Sequence, residues 1–250
     1  ALKKGLPILR KNYTPDFIVA CGDGATGSYG LGRNHAAYIR KIGVDVITTG
    51  ECCFYKKDLV QNMQKLPYVL RPVNISPYAP GFGSRVYSVN GTKIAVAVML
   101  GQHGFNRFQA DNPYIKAPEL LERLNAETHN IVIDFHASAT AEKQAFFSLV
   151  QGKCSAAIGS HSRVMSADAR IMPGGTAVIC DAGRSGSIDS VGGSNTESRI
   201  QEYLTGIPDR SRDAWQRIEL QGLIIDINSA GKAQSIEPFV IPCVEPEDER

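Results

Sequence analysis

The chain has 250 residues, is 43% hydrophobic and 21% charged, and carries a formal net charge of +2. This is enough for one large or two small globular domains, and the near-balanced charge argues against a nucleic-acid polymer or a membrane surface as partner. No apolar run is long enough to cross a bilayer, and six irregularly spaced cysteines make no disulfide framework, which points to a reducing, cytoplasmic setting.

Leu2, Leu6 and Leu9 would share one face of an N-terminal helix, although Gly5 and Pro7 interrupt it. No signal peptide is visible, and Ala1 is not an initiator, so the numbering is expected to begin inside the fold or after a removed segment. A strand is predicted over 17–21, then the glycine-rich loop Gly22 to Gly30, a helix over 33–42 and a strand over 44–49. Residues 56–66 have helical spacing, with Leu59, Met63 and Leu66 inward, and 70–84 reads as a long loop. Asn90-Gly91 between two alternating runs predicts a tight hairpin with its second strand over 93–100, and 102–116 reads as irregular.

A helix over 117–127, a strand over 130–135, a helix over 140–151 and strands over 154–158 and 176–180 follow. The end of the chain is predicted to form a helix from Asn195 to Leu204 and long strands over 215–228 and 233–241, with Glu245 to Arg250 frayed. Without repeats or a clear linker, residues 1–250 are expected to form a single α/β domain with mixed or paired sheets and flanking helices.

Four predicted strands end abruptly in chemistry-bearing residues: one at Asp23, one at Glu51, one at His136 and one at His161. In open α/β sheets, ligands gather beyond the carboxyl ends of the strands, so these four are candidates for one shared site. Carboxylates mixed with imidazoles suit a transition metal. Cys21, Cys52 and Cys53 fall near the same edge, where small buried thiols are the default and a thiolate zinc site or a nucleophilic Cys52 the sharper alternatives. Arg71, Arg163 and Arg184 are candidates for anion contacts, with surface or ion-paired arginines as the plainer reading, and Asp134 is placed to orient a neighbour or cap a helix.

The order of these pieces resembles the YmdB-like metallophosphoesterases, bacterial phosphodiesterases acting on cyclic nucleotides. Matching stretches include Gly43 to Thr48, Leu70-Arg71-Pro72, Asp134 to Ala137, Glu142-Lys143 and Pro173 to Thr176. The resemblance implies a four-layer αββα sandwich with mixed sheets and a two-metal site between strand ends. It also implies a first strand, bearing an aspartate ligand, ahead of Ala1. The family's Glu-Asn pair corresponds to Asp23-Gly24 here, its Gly-Asn-His to Gly50-Glu51-Cys52, and its His-x-His to His161-Ser162-Arg163. The catalytic imidazole is thus expected to be replaced at Cys52, and Arg163 to put a fixed cation where a metal would sit, pairing with Glu51 or Asp23.

Two functions follow as expectations. One is a protein with a largely substituted metal site that acts by binding or assembly, as a homo-oligomer or with a protein partner. The other is an active metal-dependent phosphodiesterase that uses Asp23, Glu51, His136 and His161 with one or two divalent ions: manganese, iron or zinc.

Overall fold

The computed structural model describes residues 1–27, 29–105, 109–209 and 212–243. Helix α1 (Leu2–Tyr13) precedes β1 (Val19–Cys21), α2 (Arg33–Lys41), β2 (Val46–Thr48), α3 (Lys57–Val60) and β3 (Val69–Leu70). Then come the hairpin β4 (Ser84–Val89) and β5 (Thr92–Leu100), α4 (Pro113–Asn125), β6 (Ile131–His136), α5 (Thr140–Val150) and β7 (Ala156–Ser160). The chain continues through β8 (Arg170–Met172), β9 (Thr176–Ile179), β10 (Ser185–Ser187), α6 (Thr196–Thr205), β11 (Ile218–Ile227) and β12 (Ala233–Pro242).

A mixed six-stranded sheet has the order β4-β5-β6-β7-β9-β8, with β5, β6, β7 and β9 parallel. Opposite it lie two three-stranded sheets, the parallel β1-β2-β3 and the antiparallel β10-β11-β12. Val46 and Leu70 meet Val96 and Val98 in the interlayer, and farther along Ala156 and Ala177 meet Ala233. Helices α4 and α5 cover the outer face of the large sheet through Leu120, Leu124, Phe146 and Phe147. Helices α1 and α2 cover the small sheets through Leu6, Leu9, Ala36 and Ile39. The four αββα layers expected from the resemblance are therefore present.

Helix α1 runs unbroken through Gly5 and Pro7, and Gly5 has its own reason: a Cβ there would lie 2.7 Å from Leu220 Cβ, so glycine lets the helix approach β11 closely. The helix ends at Thr14, in the left-handed region at φ 46°, with its N–H returned to Arg10 O. Asn90 and Gly91, at φ 48° and 81°, make the predicted tight turn between β4 and β5. The helix predicted over 56–66 is broken instead into α3 and a 3-10 turn at Met63–Lys65, although Leu59 and Met63 are buried as expected. Strands β3, β8 and β10 were not foreseen, and α4 begins at Pro113, with Asn112 as its cap, inside the stretch read as irregular. Glu245 to Arg250, expected to fray, lie outside the described residues.

Strand alternation aims the polar residues. In β6, Ile131, Ile133 and Phe135 pack under α4 and α5, so Val132, Asp134 and His136 face the opposite sheets. In β2, Ile47 joins the helical side and Val46 the interlayer, which points Thr48 inward as well. The same parity puts Ser160 of β7 in the interlayer, level with His136.

Asp168 ties the β8–β9 corner to α5. Its carboxylate accepts hydrogen bonds from the Ser166 hydroxyl (2.7 Å), the Gln144 side-chain amide (2.7 Å) and the Cys180 N–H (3.0 Å). Partial burial works against its charge, but these donors outweigh it and hold the carboxyl down at about 2. Because the folded value lies below the unfolded one, the stabilisation is present above pH 3.8 and lost as pH falls through about 2. With solvent screening of this partly exposed carboxylate, Asp168→Asn should therefore cost about 1 kcal/mol in urea unfolding at neutral pH, with the difference from wild type vanishing in strong acid.

Candidate metal centre

The site lies where the carboxyl ends of β1 and β2 meet those of β6 and β7 across the interlayer. Asp23 follows β1, Glu51 follows β2, His136 ends β6 and His161 follows β7. All four predicted residues are brought together. Glu51 Oε2 contacts His136 Nε2, and Glu51 Oε1 lies 3.2 Å from His161 Nδ1. Asp23 Oδ2 is 3.7 Å from His136 Nε2 and accepts the Cys52 N–H at 3.1 Å. The side chains of Asp23 and His136 are each 2% exposed, Glu51 20% and His161 31%, so the cluster opens on the His161 side.

A buried chain of hydrogen bonds fixes His136. Thr48 Oγ1 donates to Asp134 Oδ2 at 2.5 Å, and Ser160 Oγ donates to Asp134 Oδ1 at 2.6 Å. The single Ser160 hydroxyl proton is thus committed to Asp134, so the contact of 2.8 Å between Ser160 Oγ and His136 Nδ1 requires Nδ1–H as donor. That leaves Nε2 facing Glu51 and Asp23, the arrangement by which an outer hydrogen bond orients a ligating imidazole. Of the two roles open to Asp134, the structure shows the orienting one rather than a helix cap. Gly50 makes room for the ring: a Cβ there would lie 2.2 Å from His136 Cδ2.

The turn bearing His161 is conformationally costly. His161 and Arg163 have φ of 97° and 59°, each worth about 1–3 kcal/mol of strain in a residue with a side chain. Asp181 holds the turn by accepting the Ser162 N–H at 2.7 Å, and the fully buried Lys143 lies 3.6 Å from Asp181 and 3.3 Å from Ser162 Oγ. Sequence reasoning missed the roles of Thr48, Ser160, Lys143 and Asp181, and also that of Phe105. The Phe105 ring stacks on His136 (centroids 5.9 Å) and meets His161 edge-on (5.0 Å).

Burial pushes the Asp23 carboxyl up to about 6, against the attraction of His136. Burial acts in the same direction on Glu51, but hydrogen bonds from His136 and His161 bring it below the usual carboxylate range. Burial works against a charged His136, yet hydrogen bonds with Cys21 and Glu51 and the charge of Asp23 hold its pKa well above the usual imidazole value. The Cys52 thiol is raised by burial and by the charges of Asp23 and Glu51.

The donor atoms of Glu51, His136 and His161 lie within 4.8 Å of one another, as do those of Asp23, Glu51 and Cys52. Asp23 Oδ1 is buried and has no hydrogen-bond partner among the described residues. An orphaned carboxylate oxygen beside two imidazoles fits a divalent cation, and mixed nitrogen and oxygen donors suit manganese, iron or zinc.

The expected ion pair of Arg163 is not formed. Its Nη1 donates to Gly192 O at 3.2 Å, and among the described residues it has no acidic partner within 4.0 Å. Both oxygens of Glu51 already face imidazoles, and Asp23 turns toward the Cys52 N–H. Arg71 and Arg184, the other anion candidates, are spent on backbone carbonyls: Pro72, Ala79 and Pro80 for Arg71, and Arg163, Ser187 and Ile188 for Arg184. All six cysteines are free thiols.

Removing the buried ammonium would leave the Asp181 carboxylate uncompensated. Lys143→Met should lower unfolding free energy by about 3–5 kcal/mol, read as a lower urea midpoint at unchanged slope.

A family model described as "YmdB-like protein" matches residues 1–239. The Bacillus subtilis (strain 168) protein named 2',3'-cyclic-nucleotide 2'-phosphodiesterase is 34% identical over 241 residues, 96% of this chain and 90% of the relative. The crystal structure of a Mycoplasma pneumoniae protein titled a novel phosphatase superposes with a TM-score of 0.88 at 30% identity, covering 96% of this chain and 87% of that one. A hypothetical protein from Thermus thermophilus gives 0.87 at 28% identity, with 96% and 92% covered. A more distant likeness, to a Staphylococcus aureus chain titled a putative 5'-nucleotidase, has a TM-score of 0.58 at 13% identity, covers 98% of this chain and 49% of that one, and speaks to fold alone. The chain belongs to the YmdB-like family of phosphodiesterase and phosphatase relatives.

Proposed function

We propose that the protein binds a phosphodiester or related phosphate ligand at a centre for one divalent cation, held by Asp23, Glu51, His136 and His161, and works by binding or assembly rather than by turnover. The observation that carries the cation is the buried, unpartnered Asp23 Oδ1 beside the Glu51–His136–His161 cluster. A divalent cation bound there would polarise a phosphoryl oxygen. Around it, Glu51 and Asp23 supply charge, Ser160 and Asp134 keep His136 Nε2 turned inward, and Phe105 packs against both imidazole rings.

Turnover of a phosphodiester asks for more. A two-cation centre clamps the attacking and leaving oxygens together. Here the positions matching the family's remaining ligands and its catalytic imidazole hold Gly24, Arg163 and Cys52. A thiol raised by burial is a poor substitute for an imidazole that must give and take a proton near neutral pH. Assembly has a candidate face in α6, which buries none of its residues and exposes Ile200, Tyr203 and Leu204. The free cysteines accord with a reducing, cytoplasmic setting, and no helix among the described residues is long and apolar enough to cross a membrane.

The second reading is an active metal-dependent phosphodiesterase, favoured by the name of the B. subtilis relative and by the four gathered side chains. Elemental analysis after dialysis against manganese or zinc should find close to one equivalent in the wild type and a large loss in His136→Ala. A wild type with none would overturn the cation. Incubation with 2',3'-cyclic AMP and manganese should give no product above the metal blank, whereas turnover abolished by His136→Ala would establish the second reading.

A further inference from the structure

A centre with a single cation has only one positive pole for a ligand that carries several oxyanion atoms. Among the three arginines noted in the sequence, Arg71 and Arg184 have their donors occupied by backbone carbonyls. Arg163 gives one N–H to Gly192 O and has no acidic partner among the described residues, so most of its five donors are uncommitted. It shares a turn with His161, and both its neighbours and its own backbone are tied down. Asp181 holds the Ser162 N–H, and Arg184 Nη1 donates to Arg163 O at 3.3 Å. Arg163 thus lies two residues from His161, whose Nδ1 is 3.2 Å from Glu51 Oε1, and its guanidinium is not neutralised by Glu51 or Asp23.

We infer that Arg163 is the anion-recognising arm of the site: its planar fork binds two peripheral oxygens of a phosphate group while a third oxygen faces the cation. This rests on the proposed one-cation centre. A fixed guanidinium matches phosphate in charge and geometry, and it stands where the resemblance puts a second metal ligand. The ligand class is a phosphate mono- or diester, and inorganic phosphate shares that chemistry.

The test is calorimetric titration of cation-loaded wild type, Arg163→Ala, Arg163→Lys and Arg163→His with inorganic phosphate and, separately, 2',3'-cyclic AMP, with metal content measured for each. Arg163→Ala should weaken binding by about tenfold or more at unchanged cation content and thermal midpoint, and Arg163→Lys should recover part of the loss, keeping the charge without the fork. Tighter binding of the cyclic nucleotide would identify a nucleotide phosphodiester as the ligand, and tighter binding of phosphate the free anion. Cation content rising above one equivalent in Arg163→His would support the guanidinium's standing in for a second ion. Unchanged affinity in Arg163→Ala overturns the inference. A wild type without cation overturns the proposed function instead, and titrating the cation-free proteins then decides Arg163 in the same way.

Discussion

Asp134 carries the arrangement of the whole site. Its buried carboxylate receives Thr48 from one sheet and Ser160 from a neighbouring strand of the other, so it joins the two halves of the sandwich at the mouth of the interlayer. An apolar residue there would remove the acceptor that both hydroxyls share, leaving Thr48 only a long contact of 3.5 Å with Ala20 O and releasing the Ser160 proton from its carboxylate. The same carboxylate claims the Ser160 proton and thereby sets which nitrogen of His136 faces Glu51. Fold and site are coupled through one residue that would touch neither cation nor ligand.

The other half of the site depends on a different kind of support. His161 reaches Glu51 only because the backbone accepts positive φ at two residues with side chains. The Asp181–Lys143 pair, itself costly to bury, holds that turn in place. Both features cost stability, as expected where geometry rather than stability is being held. Phe105 packs against both imidazole rings.

Much of this was legible in the residues. Each site side chain follows an apolar run that stops abruptly, and the Asn90-Gly91 turn dictates its hairpin. The break in residues 56–66 was hidden because Leu59 and Met63 keep helical spacing across it. Strands β3, β8 and β10, two or three residues long, are too short to show a period. Thr48, Ser160 and Lys143 became recognisable only when elements distant in sequence were packed together, since their partners lie 86, 26 and 38 positions away. The Arg163 ion pair was expected from the place the resemblance gives it and from its charge. The imidazoles that already occupy Glu51 are a three-dimensional fact that charge counting does not contain.

Gly50 has a consequence for how this chain can vary. The volume a methyl group would take at position 50 is filled by the His136 ring. The two positions therefore compete for one space. A lineage that gains a side chain at 50 must surrender the inward imidazole at 136, and one that loses the imidazole releases the constraint on 50. Glycine there is a record of the ring opposite it, and the pair should drift together or not at all.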